Sequence, residues 1–326
     1  MREIDKKEKA LSAMLCMTRQ CWEQGMAAQT LLEIGSDVQL ELFVYDMVLR
    51  QSGDGRLCNV ENTPAVTDSA FCIPSVYIVG NLKKKQSYVK AAERNVDYLL
   101  KDAGRASDGT LYHMRGTKEI WADSAAFLPY ALALTGHREE GFLQMRGILK
   151  RLYQPKLGLY YHIWEEEKQQ YLRPFAWGVG NGWILTGLFR MLQVFQEESP
   201  EQSWLKERFQ TLLDSMLRYK TSAGLFHNFL DQEDTYEESE VSAMVAYILY
   251  WAVKEGMLDV EYLKTAEEIR SALLKKVDSN GLVWDAASSP NFDGPGTSVE
   301  CQAHFILMEE ARKNCGYYLN IDTQNV

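Results

Sequence analysis

Apolar residues in this chain come in long helical stretches, and several of those stretches have no polar side. Five begin near Thr67, Trp121, Trp177, Glu238 and Thr297, and within them Ala125–Leu132 and Val241–Tyr247 carry no charge. A helix that is apolar all round is one that is buried. Between them run patterns of period 3.6 with one charged face, at Lys84–Lys101, Arg138–Leu152, Gln202–Tyr219 and Val260–Val277, and these predict an outer layer. Upstream, an opening helix at Ile4–Met17, a buried one at Trp22–Ile34 and an outer one at Val38–Arg50 complete six inner and six outer helices. Inner and outer helices alternating with a fixed hand close into a ring. The expectation is therefore all-α: one (α/α)6 barrel over residues 1–326 without a linker, its long loops gathered at a single mouth. An open solenoid of paired helices is the other arrangement this pattern allows, but solenoid repeats of about 34 to 45 residues seldom carry loops of this length.

The repeat also has a sequence signature. Gly55-Arg56-Leu57, Gly109-Thr110-Leu111-Tyr112-His113, Gly158-Leu159-Tyr160-Tyr161-His162, Gly224-Leu225-Phe226-His227 and Gly281-Leu282-Val283-Trp284 are versions of one phrase, with 54, 49, 66 and 57 residues between successive glycines. Each is followed by a loop and then a buried helix. If the spacing is structural, every inner helix begins on the same side and points its N-terminus at the mouth.

Composition narrows the chemistry. Aromatic residues make up 11% of the chain, with 8 Trp and 17 Tyr; flat rings stack on sugar faces, although a helical core takes most of them. The net charge of -10 argues against nucleic acid as a partner, and the Lys83-Lys84-Lys85 run reads as a solvated helix start. No apolar run reaches the roughly 20 residues that span a bilayer, and residues 1–10 lack the apolar core of a secretory signal. Six cysteines without C-x-x-C spacing fit buried free thiols in a reducing cytoplasm.

Three loop-to-helix junctions carry candidate chemistry. Asp68 and Asp123 hold matching places in adjacent repeats, each followed by Ser-Ala. Two close carboxylates push their pKa values apart, which lets one act as a general acid; an Asp at a helix start is equally an N-cap. The third junction, Trp177-Gly178-Val179-Gly180-Asn181-Gly182-Trp183, spends three glycines at a helix start, each costing about 1 kcal/mol in helix propensity. That composition suits close approach to a ligand, with Trp177 and Trp183 as a sugar platform, or tight helix packing. His113, His162 and His227 share one repeat position and are either site residues or struts of the loop. No His–carboxylate spacing suggests a metal, and no serine or cysteine nucleophile motif is present.

The Trp-Ala-Asp-Ser and Trp-Gly-Val-Gly-Asn-Gly-Trp motifs, set on a six-fold helical repeat that opens at Trp22-Glu23-Gln24-Gly25, resemble glycoside hydrolase family 105, the unsaturated rhamnogalacturonyl hydrolases, and the related family 88, the unsaturated glucuronyl hydrolases. The resemblance covers nearly the whole chain. It implies the (α/α)6 barrel and a reaction in which an aspartate protonates the C4=C5 bond of an unsaturated uronide, water adds at C5 and the hemiketal collapses. It makes Asp123 the general acid/base and Asp68 the carboxylate that tunes it. Trp177, Trp183, His162, Asn181, Trp121, Trp22, Gln24 and Arg115 become the substrate contacts, with no metal and no cofactor. The partner is an oligosaccharide, and the chain acts as a monomer or homodimer without membrane or nucleic acid. Where the family reads Arg inside the glycine-rich motif this chain has Val179, so a uronate carboxylate requires Arg115, Arg173 or Lys118 in its place. A conventional glycosidase using Glu238, Glu240 or Glu300, a sugar epimerase using the three histidines, and a helical binding scaffold are the competing readings.

Overall fold

A computed structural model describes residues 3–59, 63–289, 291–292 and 294–316. They form twelve α-helices and a few strands of two to four residues. The chain packs as two compact units, Arg19–Met216 and, from the two ends of the sequence, Met1–Thr18 with Leu217–Val326.

In the first unit buried and half-exposed helices alternate as the apolar pattern predicts. The buried ones are α2 (Cys21–Glu33), α4 (Ile73–Leu82), α6 (Leu128–Leu134) and α8 (Gly178–Val194); between them run α3 (Asp37–Leu49), α5 (Gln86–Lys101), α7 (Arg138–Leu152) and α9 (Pro200–Leu217). Every residue of α8 from Gly178 to Leu192 is buried. Two inner helices start later than expected, because Pro74 and Pro129 stand in their first turns. Proline lacks an N–H and is tolerated only there. The residues ahead of each proline fold instead into separate 3₁₀ turns, Asp68–Phe71 and Ala122–Ala125.

The repeated glycines are explained by backbone geometry. Gly55, Gly109, Gly158, Gly224 and Gly281 have φ between 71° and 101°, where a side chain is strained. Each glycine reverses the chain, and the N–H two residues later is received by a side chain on a helix: Leu57 by Asn95, Leu111 by Gln144 and Tyr160 by Asn181 in this unit, Phe226 by Ser242 and Val283 by Gln302 in the other. Buried N–H groups need such partners. β1 (Glu119–Trp121) pairs antiparallel with β4 (Ile163–Glu165), which pairs with β5 (Gln170–Arg173); the hairpin β2 (Tyr153–Gln154) with β3 (Leu159–Tyr160) leads into them.

The second unit contains α1 (Glu3–Met17), α10 (Ser239–Lys254), α11 (Tyr262–Leu273) and α12 (Val299–Asn314), with α10 packed on α11 and α12, and α1 on α12. The Glu238 carboxylate caps α10 through the Val241 N–H, and the Ser298 hydroxyl caps α12 through the Cys301 N–H. No helix among the described residues is long and apolar enough to cross a membrane. The cysteines are free; Cys21, Cys58, Cys72 and Cys301 are buried as expected, whereas Cys16 is exposed and Cys315 half-buried.

Candidate active site

The two 3₁₀ turns place Asp68 and Asp123 in one constellation of the first unit, each beside a histidine. His162 Nε2 lies 2.9 Å from Asp123 Oδ2, and His113 Nε2 lies 3.6 Å from Asp68 Oδ1. Both histidines are buried, and both carboxylates keep part of their side-chain surface open. A hydroxyl pair fixes His113: Thr67 Oγ1 is 2.6 Å and Ser124 Oγ 3.1 Å from its Nδ1, with 3.0 Å between the hydroxyls. Thr67 precedes Asp68 and Ser124 follows Asp123, so the same turns that carry the carboxylates orient the ring. Among the described residues His162 Nδ1 has no hydrogen-bond partner.

Two tryptophans pack directly against the histidines. Trp121 stacks on His113 at 4.3 Å between ring centres and 14° between planes, and meets His162 edge-on at 5.6 Å. Its Nε1–H donates to Glu119 Oε2 at 2.8 Å, which fixes the indole. Trp177 lies against His162 at 4.4 Å, while Trp183 packs edge-on against Phe71 at 5.6 Å. Trp22 and Gln24 are half-buried in the first turn of α2, which the Glu23 carboxylate closes by accepting the Arg19 and Gln20 N–H groups.

The two carboxylates are tuned in opposite directions. Burial pushes Asp68 above the usual range; His113 pulls it down, the charge of Asp123 pushes it up, and the net shift is upward. Burial pushes on Asp123 too, but the charge and hydrogen bond of His162, with a smaller pull from His113, hold it below the usual range. Two carboxyls whose environments drive them apart are the pattern of an acid–base site. Of the two, Asp68 is the carboxyl shifted toward its protonated form and Asp123 the one shifted toward its ionised form.

Several expected contacts fall elsewhere. Asn181 is buried; its amide accepts the Tyr160 N–H and donates to the Tyr160 and Trp177 carbonyls, all at 2.9 Å. It therefore pins the loop rather than facing a sugar. Gly180 serves packing as well, since a Cβ there would meet the Trp177 ring at 3.2 Å and Ala122 at 3.4 Å. Val179 is buried. Arg115 is committed to the Asp54 carboxylate and the Tyr98 hydroxyl. Lys118 pairs with Glu167 at 3.1 Å. Arg173 is exposed, and its carbonyl accepts the His162 N–H at 3.4 Å; among the described residues its side chain makes no ion pair. His227 and the glutamates lie in the second unit. His227 Nδ1 is 2.6 Å from the Thr235 carbonyl oxygen. Burial raises Glu238 to about 7, and its oxygens are occupied by the Val241 and Ala287 N–H groups. The hydroxyl clamp on His113 escaped the sequence reading, although Thr67 and Ser124 flank the two aspartates in the sequence itself.

A family model described as Glycosyl Hydrolase Family 88 matches residues 3–291. The unsaturated rhamnogalacturonyl hydrolase YesR of Bacillus subtilis (strain 168) is 27% identical over 209 residues, 60% of this chain and 59% of YesR, so the matched part spans about three-fifths of that relative. Among solved structures, a possible member of the GH105 family from Salmonella enterica serovar Paratyphi A superposes with a TM-score of 0.84 at 16% identity, covering 96% of this chain and 93% of that one. A family 105 glycoside hydrolase from C. acetobutylicum gives 0.78 at 16% identity, covering 94% and 99%. These likenesses show the fold, and it is the (α/α)6 class expected from the helical repeat.

Proposed function

The chain belongs to glycosyl hydrolase family 88, and on that premise we propose that it releases a 4,5-unsaturated uronic acid from the non-reducing end of lyase-generated oligosaccharides. The observation that carries this reading is the Asp68–Asp123 pair, each carboxylate set against its own histidine between tryptophan rings. Asp123 gives a proton to C4, and positive charge develops at C5 and the ring oxygen. Water adds at C5 and returns its proton to the carboxylate. The resulting hemiketal opens, and the anomeric carbon becomes an aldehyde as the remaining sugar leaves. His162 holds Asp123 ionised in the free protein, so proton delivery depends on the bound substrate. A uronate entering the mouth adds a like charge and displaces water, and both effects raise a carboxyl pKa. Asp68 then steers the water. With Val179 buried and Arg115 and Lys118 paired, Arg173 is the cation left to receive the uronate.

YesR is named for the same class of sugar. The match of one family model to residues 3–291 supports a single catalytic domain spanning both units. We place the protein in the cytoplasm, where an exposed thiol such as Cys16 stays reduced.

The test is a substrate whose glycosidic oxygen is replaced by sulfur. Ordinary glycosidases protonate that atom, a step contributing about 10²- to 10⁴-fold, and sulfur accepts a proton poorly. Hydration at C4=C5 bypasses it, so the sulfur-linked compound is cleaved within about tenfold of the oxygen-linked rate. Arg173→Gln raises KM on either compound with little change in kcat. A sulfur-linked compound left intact while its oxygen-linked twin is hydrolysed means conventional displacement.

A further inference from the structure

The first unit has a second concave feature, separate from the aspartate pair. A cavity of about 570 Å³ opens between α7 and α9, a volume within the roughly 300–1,000 Å³ of small-molecule sites. Phe142 and Trp204 form its aromatic wall, their rings edge to face at 5.3 Å. Tyr160 lies in the lining, and its hydroxyl makes no hydrogen bond among the described residues. Arg208 Nε is buried without a hydrogen-bond partner, while the end of the same guanidinium reaches Glu207. Arg146, 5.8 Å over the Phe142 ring, and Lys150 stand at the rim; neither makes an ion pair among the described residues. Two carboxylates share the lining, Glu139 and Asp108, and Asp108 is paired with Arg151 at 2.8 Å. In a chain with a net charge of -10, unpaired cations gathered around aromatic rings mark a place for an anion with an apolar face.

We propose that this cavity is a second, non-catalytic binding site for a carboxylate-bearing saccharide. The ring faces take the C–H surface of a pyranose, Arg146 and Lys150 take the carboxylate, and the Tyr160 hydroxyl and Arg208 Nε take sugar hydroxyls. The site adjoins the catalytic one through a single stretch of chain. The Tyr160 side chain lines the cavity, its main chain is bound on both sides by Asn181 of α8, and two residues on His162 meets Asp123. A longer uronate chain held there keeps the enzyme on its polymer while the unsaturated end is removed.

The test uses saturated trigalacturonate, which has no double bond to hydrate, titrated calorimetrically into the whole protein. Binding is expected in wild type, weakened at least tenfold in the double variant Arg146→Gln/Lys150→Gln and likewise in Trp204→Ala. The double variant changes only two rim side chains, and its initial rate on an unsaturated disaccharide should match wild type. Unchanged affinity in both variants overturns the proposal, as does maltotriose binding equally well, or inorganic sulfate binding as tightly as the trisaccharide. Because the probe is not a substrate, the result stands apart from whether the protein hydrolyses unsaturated uronides.

Discussion

Asp68 is largely shielded from water and lies 3.6 Å from an imidazole, and desolvation wins: its carboxyl is shifted up, whereas the closer contact to His162 shifts Asp123 down. The sign of each shift has a consequence for stability. A carboxyl raised on folding costs nothing below its unfolded pKa and costs stability as pH rises through the folded value. Asp68→Asn, which removes that charge, should therefore melt above wild type at pH 7, with the gap closing as pH falls toward the usual carboxylate range. The same variant should lose about 10²- to 10⁴-fold in turnover, a gain in stability at the expense of activity. Melting curves at several pH values check the first part; a lower melting temperature at neutral pH would show that the His113 contact dominates. The aspartates themselves were legible, since both stand before Ser-Ala in matching repeats. Their opposite tuning was not, because it depends on which histidine ring comes nearest in space. The structural part of Asn181 was not legible for a related reason: a polar residue beside tryptophans in sequence looks like a sugar contact until its amide is seen bonding the Tyr160 main chain.

At the scale of the element, the helix order was readable from hydrophobic period and the glycine phrase, while the starts of α4 and α6 were not. Prolines at 74 and 129 permit either a longer helix with proline inside its first turn or a 3₁₀ turn ahead of it, and only packing decides. The site depends on that packing. Gly187 in α8 lies against the Ala122–Ala125 turn that carries Asp123, and a Cβ on it would come 2.0 Å from the Ala125 carbonyl oxygen. Alanine is better than glycine in a helix by about 1 kcal/mol, and overpacking against backbone costs typically 1–3 kcal/mol. The second should win: Gly187→Ala is expected to destabilise the protein by roughly 2 kcal/mol and to lower turnover by displacing Asp123. Chemical denaturation measures the first effect, and a stabilised variant would mean that the turn yields.

For the whole molecule, fold class followed from counting six inner and six outer helices, and the structural likenesses agree. Net charge adds a kinetic consequence. An acidic protein repels an acidic sugar, and screening over about 10 Å at 0.1 M salt weakens that repulsion. Raising ionic strength from low to physiological should thus increase kcat/KM a few-fold, with the proposed Arg173–uronate contact working in the other direction. A fall in kcat/KM with salt would mean that local cations outweigh the field of the whole surface. The central claim, however, concerns a double bond. The conjugated uronide absorbs in the ultraviolet, so its decay can be followed directly on a panel of lyase-generated disaccharides with wild type and Asp123→Asn side by side. Hydration predicts decay with at least one disaccharide in wild type and a loss of about 10² or more in the variant; a flat wild-type trace across the panel from folded protein, or an undiminished rate in Asp123→Asn, would contradict it.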